Sequence, residues 1–288
     1  MENNTINSLP EHNDNVSHDH PVREFMVLFF GISIFLLICF WAIGLFVDQA
    51  VDYISPQMEA MIFSSAGASA SKAVDNHDPQ QAELQRMVDG LRKCSHIAYP
   101  LKVHLIDSDD ANALAFPGGH IFVLSGLLDK VVSKNGLSFV LAHELAHFKN
   151  RDHLRGMGRG IVFTAIAALI TGAGSDFTHL FAPTAGFSQA RYSRERESLA
   201  DQSALQVLDC YYGHVGGATE FFEAMRPDDK QKGNAFTHYF ASHPEAVQRI
   251  NNIYQQASEL NLVVEEVQPL PAVLDIQEKR EKNEKNGF

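Results

Sequence analysis

From Phe25 to Val47 runs FMVLFFGISIFLLICFWAIGLFV, a stretch without a single charged residue. Few soluble folds have room for such a segment. As a helix at 1.5 Å per residue it is about 34 Å long, against a bilayer core of about 30 Å. The run exceeds the apolar core of a cleaved signal, about 7–15 residues, and no small-x-small site follows closely. Residues 23–48 therefore read as an uncleaved single-pass anchor that meets the lipid bilayer through residues 25–47. Arg23 precedes the anchor, and the next basic residue is Lys72. The positive-inside rule then expects a cytoplasmic N-terminus with the bulk of the chain outside, as for a protein of the bacterial cytoplasmic membrane.

The formal net charge of -12 argues against nucleic acid as a partner and gives no electrostatic reason to adhere to anionic lipid. Residues 1–22 are polar, without hydrophobic periodicity, and read as a disordered tail. Residues 49–77 read as a linker, because SSAGASASKAVDNHDPQ is small and polar. A folded domain is expected over 78–262, and a tail over 263–288 that ends in a charged run.

Within the domain, DPQQAELQRMVDGLRKC has Leu84, Met87 and Leu91 at helical spacing behind an Asp-Pro start. LKVHLID alternates as a strand does. ANALAF and HIFVLSG flank the turn Pro117-Gly118-Gly119 and read as a hairpin. Helices follow from Ser138 to near Asn150, His153 to near Thr171, Tyr192 to near Cys210 and Pro244 to near Ala257. GIVFTAIAALITGAGS, from Gly160 to Ser175, is apolar but short of the ~20 residues that span a bilayer, so a buried or membrane-grazing helix is expected. The fold class is α+β, mostly helical, with a small antiparallel sheet. Cys39 lies in the anchor. Cys94 and Cys210 can pair or remain thiols, and the reading favours two buried thiols. No feature of the sequence sets an oligomeric state.

The chemistry concentrates in VLAHELAHFKNRDH, where His143, Glu144 and His147 spell H-E-x-x-H. Positions i and i+4 share one helix face, so both imidazoles can point at one ion, with Glu144 turned aside toward a water. A zinc ion there would activate that water. Glu144 would take its proton and pass it to the leaving amine.

Two residues compete to be the third ligand. His153 matches the metzincin spacing H-E-x-x-H-x-x-G-x-x-H, with Asn150 in place of the glycine. Glu197, in YSRERESLAD, shares a helix face with Asp201. It can complete a His-His-Glu site while Asp201 orients a ligand imidazole. In ASHPEAVQRI, Ser242 and Glu245 form a capping box, and His243 at the first turn can meet an oxyanion.

The order H-E-x-x-H, S-R-x-x-E-x-x-A-D, H-P-x-x-x-x-R-I resembles the membrane-associated gluzincins, the family of the CAAX prenyl protease, HtpX and the mitochondrial Oma-type peptidases. Ser193, Arg194, Glu197, Ala200 and Asp201 match the second part, and His243, Pro244, Arg249 and Ile250 the third. NALAFPGGHIFVLSGLL is similar to the family's segment ahead of the metal helix.

The resemblance implies a zincin-like catalytic domain with one Zn2+ per chain, held by His143, His147 and Glu197. Glu144 would be the general base, Asp201 would support a ligand, and His243 would assist the transition state. His153 would be a helix-surface residue or a support behind the ligands. Phe116, Pro117, Gly118 and Gly119 would pair with an extended protein or peptide substrate. One clear anchor sets this chain apart from multi-span members, so the expectation is a tethered endopeptidase in quality control of membrane or extracytoplasmic proteins. The alternative is a membrane-tethered peptide-binding or chaperone-like protein with little or no proteolysis.

Overall fold

The computed structural model describes residues 21–64, 78–97, 99–171, 192–225 and 246–275. The polar N-terminal tail, most of the SSAGASASKAVDN spacer, the Ser242–Glu245 capping box with His243, and the charged C-terminus lie outside them. By internal contacts the chain divides into residues 1–46 and residues 47–288.

Helix α1 spans Pro21–Tyr53, and its large side chains from Phe25 to Phe46, Ile43 excepted, are exposed. Among the described residues it is the one helix long and apolar enough to cross a membrane, with a mean hydropathy of 2.7 over its best window. Val47 and Val51, near its C-terminal end, are buried.

The second unit begins with that end. Residues 49–53 and 56–62, expected as linker, are helical: α1 continues to Tyr53, and α2 occupies Pro56–Ile62. The local reason is legible, since Ser55 caps α2 by accepting from the Met58 amide and Pro56 opens the helix. Helix α3 (Pro79–Cys94) starts in the same way, with Asp78 accepting from the Gln80 amide.

Three strands follow: β1 (Lys102–Ile106), β2 (Ala113–Phe116) and β3 (His120–Leu124), in the order β1-β3-β2. The expected hairpin is β2–β3, turning at Pro117-Gly118-Gly119, where both glycines sit at φ +88. The wholly antiparallel sheet needs correction, because β1 runs parallel to β3. The loop 107–112 carries the chain past the end of β3 to the far edge, tied there by Gly126 N–H to Ser108 O at 2.8 Å. A Cβ on Gly126 would lie 2.5 Å from the Asp109 carbonyl, so only glycine admits that passage. Gly126 lies in the single turn of helix α4 (Ser125–Leu128), which follows β3 directly.

Helix α5 (Lys134–Lys149) is buried on every side from Asn135 to Phe148, packed against α3, β2 and α7. Apolar residues all round are what such a central helix requires. Helix α6 spans Asp152–Thr171, taking in residues 160–171 of the apolar segment. Helix α7 (Arg194–Tyr212) is capped by Ser193 and stopped by Gly213 at φ +78. Short α8 (Glu220–Ala224) and α9 (Ala246–Glu259) complete the unit.

Two further expectations are corrected. Cys94 and Cys210 form a disulfide joining α3 to α7 instead of staying thiols, because packing these helices on α5 brings their Cα atoms to 5.9 Å. Residues 263–275, expected as tail, lie on the domain: Val263 and Gln268 carbonyls accept from Val215 and Lys134, and Leu274 is fully buried.

Candidate metal centre

Helix α5 aims His143 and His147 to one side, and their Nε2 atoms lie 3.0 Å apart. Helix α7, packed against α5, brings Glu197 to them. One Glu197 oxygen is 3.4 Å from His143 Nε2 and the other is 3.5 Å from His147 Nε2. All three side chains are buried, and their ligand atoms fit within 4.8 Å of one another. For a tetrahedral zinc with bonds of about 2.0–2.1 Å, ligand atoms stand about 3.3 Å apart. The donor set and its spacing fit that ion.

Each imidazole is held from behind. Asp201 Oδ1 lies 3.0 Å from His143 Nδ1, and Asp152 Oδ2 lies 3.0 Å from His147 Nδ1. A carboxylate on Nδ1 keeps the proton there and leaves the Nε2 lone pair for a metal. Asp201 stands where the sequence placed it, four residues beyond Glu197 on α7. Asp152, absent from the sequence reading, is supplied by the turn after α5. There Arg151 adopts φ 58 and redirects the chain into α6. Asp152 is itself held by Arg196 at 2.7 Å.

Arg249, from α9, completes the back wall. Its guanidinium lies 2.8 Å from Glu197 and 2.5 Å from Asp201, with the Phe222 ring beneath it at 4.4 Å. Burial would raise the Asp201 carboxyl, but the Arg249 charge and the His143 contact outweigh it and hold it below its usual range. Burial likewise opposes a charge on His147. The hydrogen bond His147 donates to Asp152 and the carboxylates of Glu197 and Glu144 win, raising it to about 9. Without a metal, this nest of carboxylates already favours a cation. The Tyr192 ring stacks on His147 with centroids 3.9 Å apart. Burial first, then the nearby carboxylates, pushes its phenol well above the ordinary value.

Glu144 is 1% exposed, and its Oε2 accepts from the Ala115 amide of β2 at 2.9 Å. Phe116 is the buried last residue of β2, while Pro117, Gly118 and Gly119 form the turn beyond it. His153 is also buried, but its Nε2 faces Glu59 of α2 at 3.1 Å. The structure thus brings together His143, Glu144, His147, Glu197 and Asp201, and it adds Asp152, Arg249 and Tyr192. Arg249 was legible as a motif match without a role. No spacing marked Asp152, though its place between two basic residues after a helix end was a signal of a kind.

Residues 78–257 match Peptidase family M48. The mitochondrial metalloendopeptidase OMA1 of Saccharomyces cerevisiae is 25% identical over 173 residues, covering 57% of this chain and 49% of that protein. Its counterpart in Schizosaccharomyces pombe is 31% identical over 158 residues, covering 53% and 45%. A protease HtpX homolog of Salinibacter ruber is 28% identical over 178 residues, covering 56% and 64%. The chain spans about half the length of the OMA1 relatives it matches. With a buried His-His-Glu group of the right spacing and a match across residues 78–257, the chain belongs to peptidase family M48, whose metallopeptidases depend on zinc.

Proposed function

We propose that this chain is a membrane-anchored endopeptidase with a zincin-like catalytic domain, cutting extended segments of protein substrates. His143, His147 and Glu197 hold one Zn2+, and Glu144 is the general base. The observation that carries this reading is the buried Glu144 carboxylate beside a metal-spaced His-His-Glu group, anchored to a sheet edge by the Ala115 amide. Bound zinc supplies Lewis-acid activation of a water and of the scissile carbonyl. Glu144 takes a proton from the water whose oxygen bonds to the carbonyl carbon, and returns it to the amine as the C–N bond breaks. His243, by its place in the third motif, serves the oxyanion.

The sheet edges favour one path for substrate. The outer edge of β1 is covered by α3, where Gln85 accepts from the Val103 amide at 2.9 Å and Gln81 from the Leu105 amide at 2.7 Å. The β2 edge faces Glu144, and a peptide strand there would exchange for the bonds that the Ala113 and Ala115 amides donate to Asn112 Oδ1 and Glu144 Oε2, both at 2.9 Å. A peptide added there as a further strand runs past the metal, with Phe116 and the Pro117-Gly118-Gly119 turn at one end.

Helix α1 is the lipid anchor. The Cys94–Cys210 disulfide favours an oxidising compartment, in keeping with a catalytic unit on the extracytoplasmic side of a bacterial cytoplasmic membrane. The role is quality control of membrane or extracytoplasmic proteins. The test is cleavage of an unfolded protein by the full chain in detergent, wild type against Glu144→Gln. Cleavage by the wild type alone supports the reading. If neither cleaves and both bind the unfolded chain, a tethered peptide-binding protein is the better account.

A further inference from the structure

Helix α2 is attached in an unusual way. Its apolar residues Met58, Met61 and Ile62 are exposed at 48%, 71% and 59%, while its one buried residue is a carboxylate, Glu59, at 1%. A cavity of about 530 Å³, lined in part by Pro56, Tyr99 and Lys102, separates α2 from the start of β1. At the C-cap of α2 the Phe63 ring meets Phe116 with centroids 6.1 Å apart. Within the helix the buried tie is Glu59, and the bonds it makes lead to both halves of the site.

On one side, Glu59 Oε1 accepts from the Gly118 amide at 2.8 Å. That fixes the turn between β2 and β3, and β2 carries the Ala115 amide that bonds Glu144. On the other side, Glu59 Oε1 lies 3.1 Å from His153 Nε2, and Oε2 lies 3.1 Å from the Arg151 guanidinium. Those residues flank Asp152, the carboxylate behind His147. Arg151 also donates to the Val51 and Ile54 carbonyls. This clamp holds a non-glycine residue at φ 58, a backbone conformation that costs energy unless its surroundings enforce it.

We propose that Glu59, on the juxtamembrane helix and outside residues 78–257 of the family match, is a positioning residue that sets Asp152 behind His147 and β2 beside Glu144. The metal centre is thereby built partly from the segment that leaves the membrane. This rests on the zinc reading above. Glu59 touches no metal ligand and acts through the residues on either side of Asp152.

The test is the rate at which the full chain, in detergent and loaded with zinc, gives up its metal to a chelator. Wild type, Glu59→Ala, Glu59→Gln and Asp52→Ala are compared, with thermal unfolding measured alongside. Asp52, on the same juxtamembrane segment as Glu59, pairs with Arg155 of α6 instead of with Arg151 or His153. Glu59→Gln keeps an acceptor for Gly118 and removes the charge facing Arg151 and His153, so it tests the idea even if the alanine variant fails to fold. The expected result is zinc release about tenfold faster in the Glu59 variants, the lower end for groups that orient metal ligands, with Asp52→Ala like the wild type. Wild-type release rates in Glu59→Gln, or equal acceleration in Glu59→Gln and Asp52→Ala, overturn the proposal while leaving the metal site standing. A wild type that retains no zinc overturns the site reading itself, and this proposal with it.

Discussion

Asp152 Oδ2 stands 3.0 Å from His147 Nδ1, across the imidazole ring from the nitrogen that faces Glu197. The pair mirrors Asp201, whose Oδ1 lies 3.0 Å from His143 Nδ1 with the Arg249 guanidinium also 3.1 Å from that nitrogen. Asp152→Ala removes one of these supports and is expected to weaken zinc binding by about 10–100-fold, read by competition with a chelator. Unchanged affinity would mean that Asp152 only packs against the ring.

Glu144→Gln keeps the shape of the side chain and an oxygen for the Ala115 amide, but it cannot accept the proton from water. Turnover is expected to fall by about 10²–10⁴-fold, with zinc content unchanged. Loss of zinc in this variant would make Glu144 a ligand instead of a base.

The H-E-x-x-H helix was the most legible part of the chain, because helical period alone puts His143 and His147 on one face. The same period puts Glu197 and Asp201 on one face of a second helix, but it was the family resemblance that chose Glu197 over His153. Asp152 was not legible, since its role depends on Arg151 turning the chain at positive φ just past α5. Glu59 was hidden for a different reason. Its helix buries no apolar face, so no hydrophobic pattern marks it, and the polar stretch after it resembles a spacer. The direction of β1 was missed because it depends on where the loop 107–112 crosses, which Gly126 permits but does not announce.

The Cys94–Cys210 bridge closes a sequence separation of 116 residues and ties α3 to the helix that carries Glu197. Reduction is expected to lower the stability of the second unit by about 2–4 kcal/mol, measured as a shift in its denaturant unfolding midpoint. A midpoint that does not respond to reductant would show that the two sulfurs are not joined.

His104 Nε2 and His120 Nδ1 meet at 2.8 Å on the sheet. Burial first, then His120 and Lys102, lowers His104 to about 4, and burial and Lys102 lower His120 as well. In the unfolded chain both protonate near the ordinary histidine value of about 6.5, while the folded pair excludes the proton. As pH falls from about 6.5 to about 4 the unfolded state therefore gains protons and stability drops, flattening below that range. Melting temperatures at pH 7 and pH 5 should show the loss, and His104→Leu should shrink it. An equal pH dependence in that variant would place its origin elsewhere.

The most direct test of the metal centre is zinc per chain in the purified 288-residue chain, compared across wild type, Glu197→Ala and His153→Ala under saturating zinc followed by desalting. One zinc in the wild type and in His153→Ala, with little or none in Glu197→Ala, is the predicted result. A full complement in Glu197→Ala with loss in His153→Ala would contradict it, and would make His153 the third ligand in place of Glu197.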